Sequence, residues 1–100
     1  MLFTALLKVR EGSTSNERIV RRAQYGFPEA VRPVTEYWLQ TTDPSLPHVV
    51  LTYEADSVEP ILALLADWDD HFHITVVPAI TAEEGLKVVE QMMQAGQEQA

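Results

Sequence analysis

Trp68-Asp69-Asp70-His71-Phe72-His73-Ile74-Thr75-Val76-Val77-Pro78 carries an acidic helix end into a strand, and its alternation decides how the chain is layered. Phe72, Ile74 and Val76 fall on one side and His71, His73 and Thr75 on the other, the period of two expected of a strand with one covered face. Pro78 lacks the backbone donor that a central strand needs, so this strand belongs at a sheet edge or ends there. Just upstream, Ile61, Leu62, Leu64, Leu65 and Trp68 recur at helical spacing and form a broad apolar stripe of the kind that packs on a sheet.

Toward the N-terminus, residues 2 to 9 alternate over an apolar background, with Phe3, Ala5, Leu7 and Val9 on one face and Leu2, Thr4, Leu6 and Lys8 on the other. Apolar residues on both faces predict a central strand. Gly12 breaks it, and Thr14-Ser15-Asn16-Glu17 has the spacing of a capping box that opens a helix over about 16–25, ending at Gly26. Val34 to Gln40 has the β-branched and aromatic content of a strand. Asp43-Pro44 and Leu46-Pro47 interrupt it, and a hairpin returns the chain into a strand from His48 to Glu54. Asp56 or Ser57 then caps a helix to about Trp68, with Glu59 and Pro60 in its first turn. Thr81-Ala82-Glu83-Glu84 repeats the capping pattern and opens a last helix through about Ala95.

The order of elements predicts a single α+β domain over residues 1–100. It is a ferredoxin-like βαββαβ unit plus a C-terminal helix, with a four-stranded antiparallel sheet and helices on one face. With Phe3, Ala5, Leu7, Val9, Phe72, Ile74 and Val76 under the helices, the other face presents Leu2, Thr4, Leu6, His71, His73, Thr75 and Val77. An apolar patch of that size is rarely left in water. A second copy placed face to face closes the two sheets into a dimeric α/β barrel, so a homodimer is the expected assembly.

Composition narrows the function classes. The 100 residues are 46% hydrophobic with a formal charge of -8, which suits a packed core and disfavours nucleic-acid binding, since phosphate contacts need a basic surface. Five of the 7 basic residues, Lys8, Arg10, Arg18, Arg21 and Arg22, lie in the first 22 positions, which predicts a locally basic face on an acidic protein. The absence of cysteine excludes disulfides, thiolate metal sites and thiol nucleophiles, and fits a cytoplasmic protein. The N-terminal apolar run lacks the flanks of a signal peptide, and no run reaches the roughly 20 residues that span a bilayer, so no membrane association is expected.

The opening Met-Leu-Phe, the central Val34-Thr35-Glu36-Tyr37-Trp38, the helix end Leu65-Ala66-Asp67-Trp68 and the run from Phe72 to Ile80 followed by a short acidic helix resemble one known family. It consists of small prokaryotic domains in the dimeric α/β-barrel superfamily, which also holds antibiotic-biosynthesis-type monooxygenases, chlorite-dismutase-like haem proteins, muconolactone isomerase-like enzymes and effector domains of some transcription regulators. The resemblance covers nearly the whole chain and implies the fold and the dimer. It carries no catalytic motif onto particular residues.

The candidate chemistry is correspondingly sparse. His71 and His73, two apart on a strand, with Asp67, Asp69 or Asp70 nearby, offer imidazoles and a carboxylate to a divalent metal. The plainer reading makes His71 a helix-capping or solvent-facing residue and His73 a hydrogen-bonded residue of the barrel interior, and no metal or other cofactor is expected. His73 is the candidate general base, because a neutral imidazole in a partly apolar cavity works near neutral pH. Trp38, Glu36, Thr52 and Thr75 are its candidate ligand-binding neighbours, provided that their strands share its register. Packing alone is the simpler role for each. Arg18, Arg21 and Arg22 share a helix face that suits an anion or acidic partner, or that pairs with the chain's own carboxylates. No glycine-rich phosphate loop, nucleophile elbow, zinc helix or calcium loop is present.

Two functions follow as expectations, ahead of a third, a metal or haem protein through His71 or His73. The first is a homodimeric binding protein for a small organic molecule, or a cofactor-independent enzyme, with its ligand site in the barrel interior. The alternative is a non-catalytic assembly or regulatory module with a filled interior and a partner surface elsewhere, such as the arginine face.

Overall fold

The computed structural model describes residues 1–99, so Ala100, the last residue of the predicted domain, lies outside the described residues. Strands β1 (Leu2–Val9), β2 (Arg32–Trp38), β3 (Val49–Glu54) and β4 (Phe72–Ala79) form one sheet in the order β2-β3-β1-β4. Every neighbouring pair is antiparallel. Helices α1 (Ser15–Gln24) and α2 (Ile61–Trp68) connect the strands, and α3 (Ala82–Gln99) follows β4. This is the ferredoxin-like βαββαβ arrangement with an added C-terminal helix.

The alternation in β1 and β4 is realised as read. Phe3, Ala5, Leu7 and Phe72 are buried, and Val9, Ile74 and Val76 pack against them. Leu51 and Tyr53 join from β3, and Leu64 and Trp68 from α2. Phe3 stacks on Tyr53 with ring centroids 5.6 Å apart, and Trp68 lies 5.8 Å from Phe72. Tyr25, just beyond α1, meets both Phe27 and Trp68 edge-on at 5.3 Å, which ties the end of α1 to α2.

Several boundaries differ from expectation for identifiable reasons. The helix expected from Asp56 or Ser57 begins at Ile61, because Pro60 has no N–H to enter the helical ladder; Ile61, Leu62 and Ala63 instead donate to carbonyls three residues back. β4 runs through Pro78 to Ala79, which an edge strand tolerates because only one side of it has a neighbour. Both threonine caps form: Thr14 Oγ1 accepts from the Glu17 N–H at 3.3 Å, and Thr81 Oγ1 from the Glu84 N–H at 3.1 Å.

β2 carries the irregularity with the largest consequence. Its pairing with β3 slips between Pro33 and Thr35, so that Pro33 faces Tyr53 while Glu36 faces Leu51 and Trp38 faces Val49. One inserted residue inverts which side chains point to which face. Glu36 and Trp38 thereby point to the helix-covered side.

α3 stands apart from this body. It contains no buried residue among those described, and Leu86, Val88, Val89, Met92 and Met93 are all exposed. The radius of gyration is 17.3 Å, against about 13 Å for a compact chain of this length.

Candidate functional site

α1 has few apolar residues to lay on the sheet. In Ser-Asn-Glu-Arg-Ile-Val-Arg-Arg-Ala-Gln no side chain is buried, and Arg18, Ile19 and Arg22 face the layer beneath. The helix therefore leaves a cavity of about 90 Å³ over a floor that includes Ala5, Leu7, Leu51 and Ile74, with Leu64, Trp68 and Phe72 along one wall. Arg22, Glu36 and Trp38 supply its polar edge.

These three residues form one network. Arg22 Nε donates to both Glu36 oxygens at 3.1 and 2.9 Å, and its Nη2 donates to Oε1 at 2.8 Å. Trp38 Nε1 donates to Glu36 Oε2 at 2.6 Å. Burial by itself pushes the Glu36 carboxyl up, but the donors from Arg22 and Trp38, with the Arg22 charge, outweigh it and hold the group below its ordinary value. Glu36 is thus an ionised, fully engaged acceptor rather than a free base. Arg22 also covers the Phe27 ring at 5.0 Å.

The other arginines of the face are engaged as well. Arg21 grips both Asp70 oxygens at 2.7 and 2.8 Å, donates to the Asp67 carbonyl and lies 5.5 Å from the centre of the Trp68 ring. The hydrogen bonds from Arg21 hold the Asp70 carboxyl below the usual aspartate range. Tyr25 donates to Asp67 at 2.8 Å, and burial followed by this bond raises its phenol well above the usual value. Arg21 and Arg22 are thus paired to the chain's own carboxylates, whereas Arg18 donates to Ser13 and Ser15.

The five residues singled out from the sequence lie on two faces. Glu36 and Trp38 share the cavity, whereas Thr52, Thr75 and His73 lie on the open side of the sheet with Thr4, Leu6 and Val50. Thr4 and Thr52 bring their hydroxyls to 3.5 Å. His73 Nε2 lies 3.3 Å from Arg10 Nη1. Arginine is an obligate donor, so in this contact the imidazole nitrogen is the acceptor.

His71 differs most from its reading as a capping or solvent-facing residue. It is 7% exposed, and its Nδ1 lies 2.5 Å from Ser13 Oγ. Its Nε2 faces Glu17 at 4.0 Å and Asp70 at 3.9 Å. Arg18 Nη1 donates to Ser13 Oγ at 2.9 Å and to the Ser13 carbonyl at 3.1 Å. Sequence reasoning missed Ser13 altogether. The available signal was strand register: with Val9 opposite Phe72, the residues just after β1 must return beside those just before β4. His71 and His73 point to different partners, and among the described residues no group of three or more His, Cys, Asp or Glu side chains is placed to hold a metal.

The profile of one family, described as "Domain of unknown function (DUF3303)", matches residues 1–93. No curated protein and no solved structure matches the chain. No helix among the described residues is long and apolar enough to cross a membrane.

Proposed function

The chain belongs to the DUF3303 family, and from that premise we propose that it is a homodimeric protein that binds a small, largely apolar molecule, with the site under α1 rather than in the barrel interior expected from the sequence. The observation that carries this reading is the cavity of about 90 Å³, whose apolar floor meets a polar edge made by Arg22, Glu36 and Trp38. Complete small-molecule sites usually enclose about 300 to 1,000 Å³. The space under α1 is far below that range and partly open, so it holds no more than one ring or a short chain, with the ligand's polar end lying outward against the Arg22, Glu36 and Trp38 network. Glu36 and Trp38 serve the ligand here, while Thr52, Thr75 and His73 belong to the face that the second copy covers.

Closure of two sheets into a dimeric α/β barrel is part of the same proposal. It is supported by the open sheet face, which presents Leu2, Leu6, Val50 and Val77, and by the exposed apolar residues of α3. The pairing of Arg21 with Asp70 and of Arg22 with Glu36 weighs against an acidic partner docking on that face.

Cyclohexanol and phenol are suitable probes, followed through the indole N–H resonances of Trp38 and Trp68. Both resonances are expected to move on titration, and Ala5→Leu, which fills the cavity from its floor, is expected to abolish the movement. An absence of shifts at millimolar probe, or equal shifts in Ala5→Leu, overturns the proposal.

A further inference from the structure

We propose that Ser13 is a nucleophile activated by His71, and that the protein transfers the acyl group of small esters to water. The proposal stands on the Ser13 cluster alone and is independent of the cavity under α1. His71 is buried, so its ring position is fixed, and its Nδ1 sits 2.5 Å from Ser13 Oγ. Its Nε2 is turned toward the Glu17 and Asp70 carboxylates at 4.0 and 3.9 Å, so a ring proton on Nε2 points at acceptors. The Nδ1 lone pair then accepts the Ser13 hydroxyl proton. Arg18 reinforces this polarity, because a guanidinium only donates: its 2.9 Å bond occupies a lone pair of Oγ and leaves the hydroxyl proton to the imidazole.

The same geometry supplies the means for the reaction. Ser13 Oγ bonds to the ester's acyl carbon while its proton passes to His71 Nδ1, giving a tetrahedral adduct. The negative charge falls on the ester's former carbonyl oxygen, bonded to the same carbon as Oγ, and the Arg18 guanidinium, 2.9 Å from Oγ, is the cation beside the adduct. Collapse of the adduct breaks the bond to the leaving alkoxide, which takes the proton from His71. Water then attacks the acyl-serine with His71 again accepting a proton, and releases the carboxylic acid and free Ser13. Ser13 is half-buried, and the preceding Gly12 is exposed with φ +86°, so an ester approaches from the side of this turn.

The test is acetylation of the full chain by 4-nitrophenyl acetate, located by fragmenting the peptide of residues 11–18, which holds Ser13, Thr14 and Ser15 together. The expected result is acetyl on Ser13 at least about tenfold above its two neighbours, since base assistance contributes about 10² to 10⁴ in rate, and loss of that excess in His71→Gln. An even spread over the three hydroxyls, no acetyl on Ser13 together with 4-nitrophenolate release no faster than in buffer, or an undiminished excess in folded His71→Gln overturns the proposal. The wild-type ratio decides it even where His71→Gln does not fold.

Discussion

Arg22 and Glu36 join α1 to the edge strand β2 by three hydrogen bonds of 2.8 to 3.1 Å. α1 has no buried residue, so this pair substitutes for the apolar anchoring that the other elements enjoy. The pair is shielded on the carboxylate side, where the Glu36 side chain is only 18% exposed. Glu36→Ala is therefore expected to cost about 2 kcal/mol, the range for a charge-assisted bond whose partner is left stranded. Urea unfolding measures it, and a loss below about 0.5 kcal/mol, the level of ordinary surface changes, contradicts the anchoring role.

The same pair sets a pH dependence. The folded-state carboxyl of Glu36 is held below its ordinary value, so its contribution is present above the unfolded value of about 4.3 and disappears as pH falls through the folded one. Asp70, lowered by Arg21, acts with the same sign. The stability difference between wild type and Glu36→Gln is expected to be constant near neutrality and to shrink below about pH 4. A difference that grows on acidification refutes the assignment.

Tyr53 presents the opposite situation, because it is 1% exposed and its hydroxyl has no hydrogen-bond partner among the described residues. An unpaired buried hydroxyl costs about 1 to 3 kcal/mol. Tyr53→Phe keeps the stacking on Phe3 and removes the unpaired atom, so it is expected to raise stability by about 1 kcal/mol. A clear loss in thermal unfolding shows that the hydroxyl has a role this geometry omits.

The contrast between Tyr53 and Glu36 shows what was legible in the residues. Alternation in β1 and β4 was enough to place Phe3, Ala5, Leu7, Phe72, Ile74 and Val76 in the core, because apolar side chains have only one favourable side. The grouping of Glu36 and Trp38 with His73 depended on register, and the slip between Pro33 and Thr35 reversed it. A bulge leaves no hydrophobic pattern when the strand is half-exposed and its residues are amphipathic. The Ser13 and His71 contact was hidden for another reason: the residues are 58 apart, and only the pairing of β1 with β4 brings them together.

Four strands about 4.8 Å apart and about 24 Å long make an open face of roughly 450 Å², whereas a stable interface covers about 800 Å² on each partner. The sheet alone falls short of a durable dimer. α3, with Leu86, Val89 and Met93 exposed on one side at helical spacing, is the element available to supply the remainder. Wild type is expected to sediment as a dimer at micromolar concentration, and Leu6→Asp, which sets a charge in the middle of the joined sheets, as a monomer. Replacing Leu86, Val89 and Met93 by serine is expected to weaken the dimer while leaving monomer stability within about 0.5 kcal/mol, because none of the three is buried in the single chain. A wild-type monomer refutes face-to-face pairing, and a dimer unaffected by the serine variant confines the interface to the sheet.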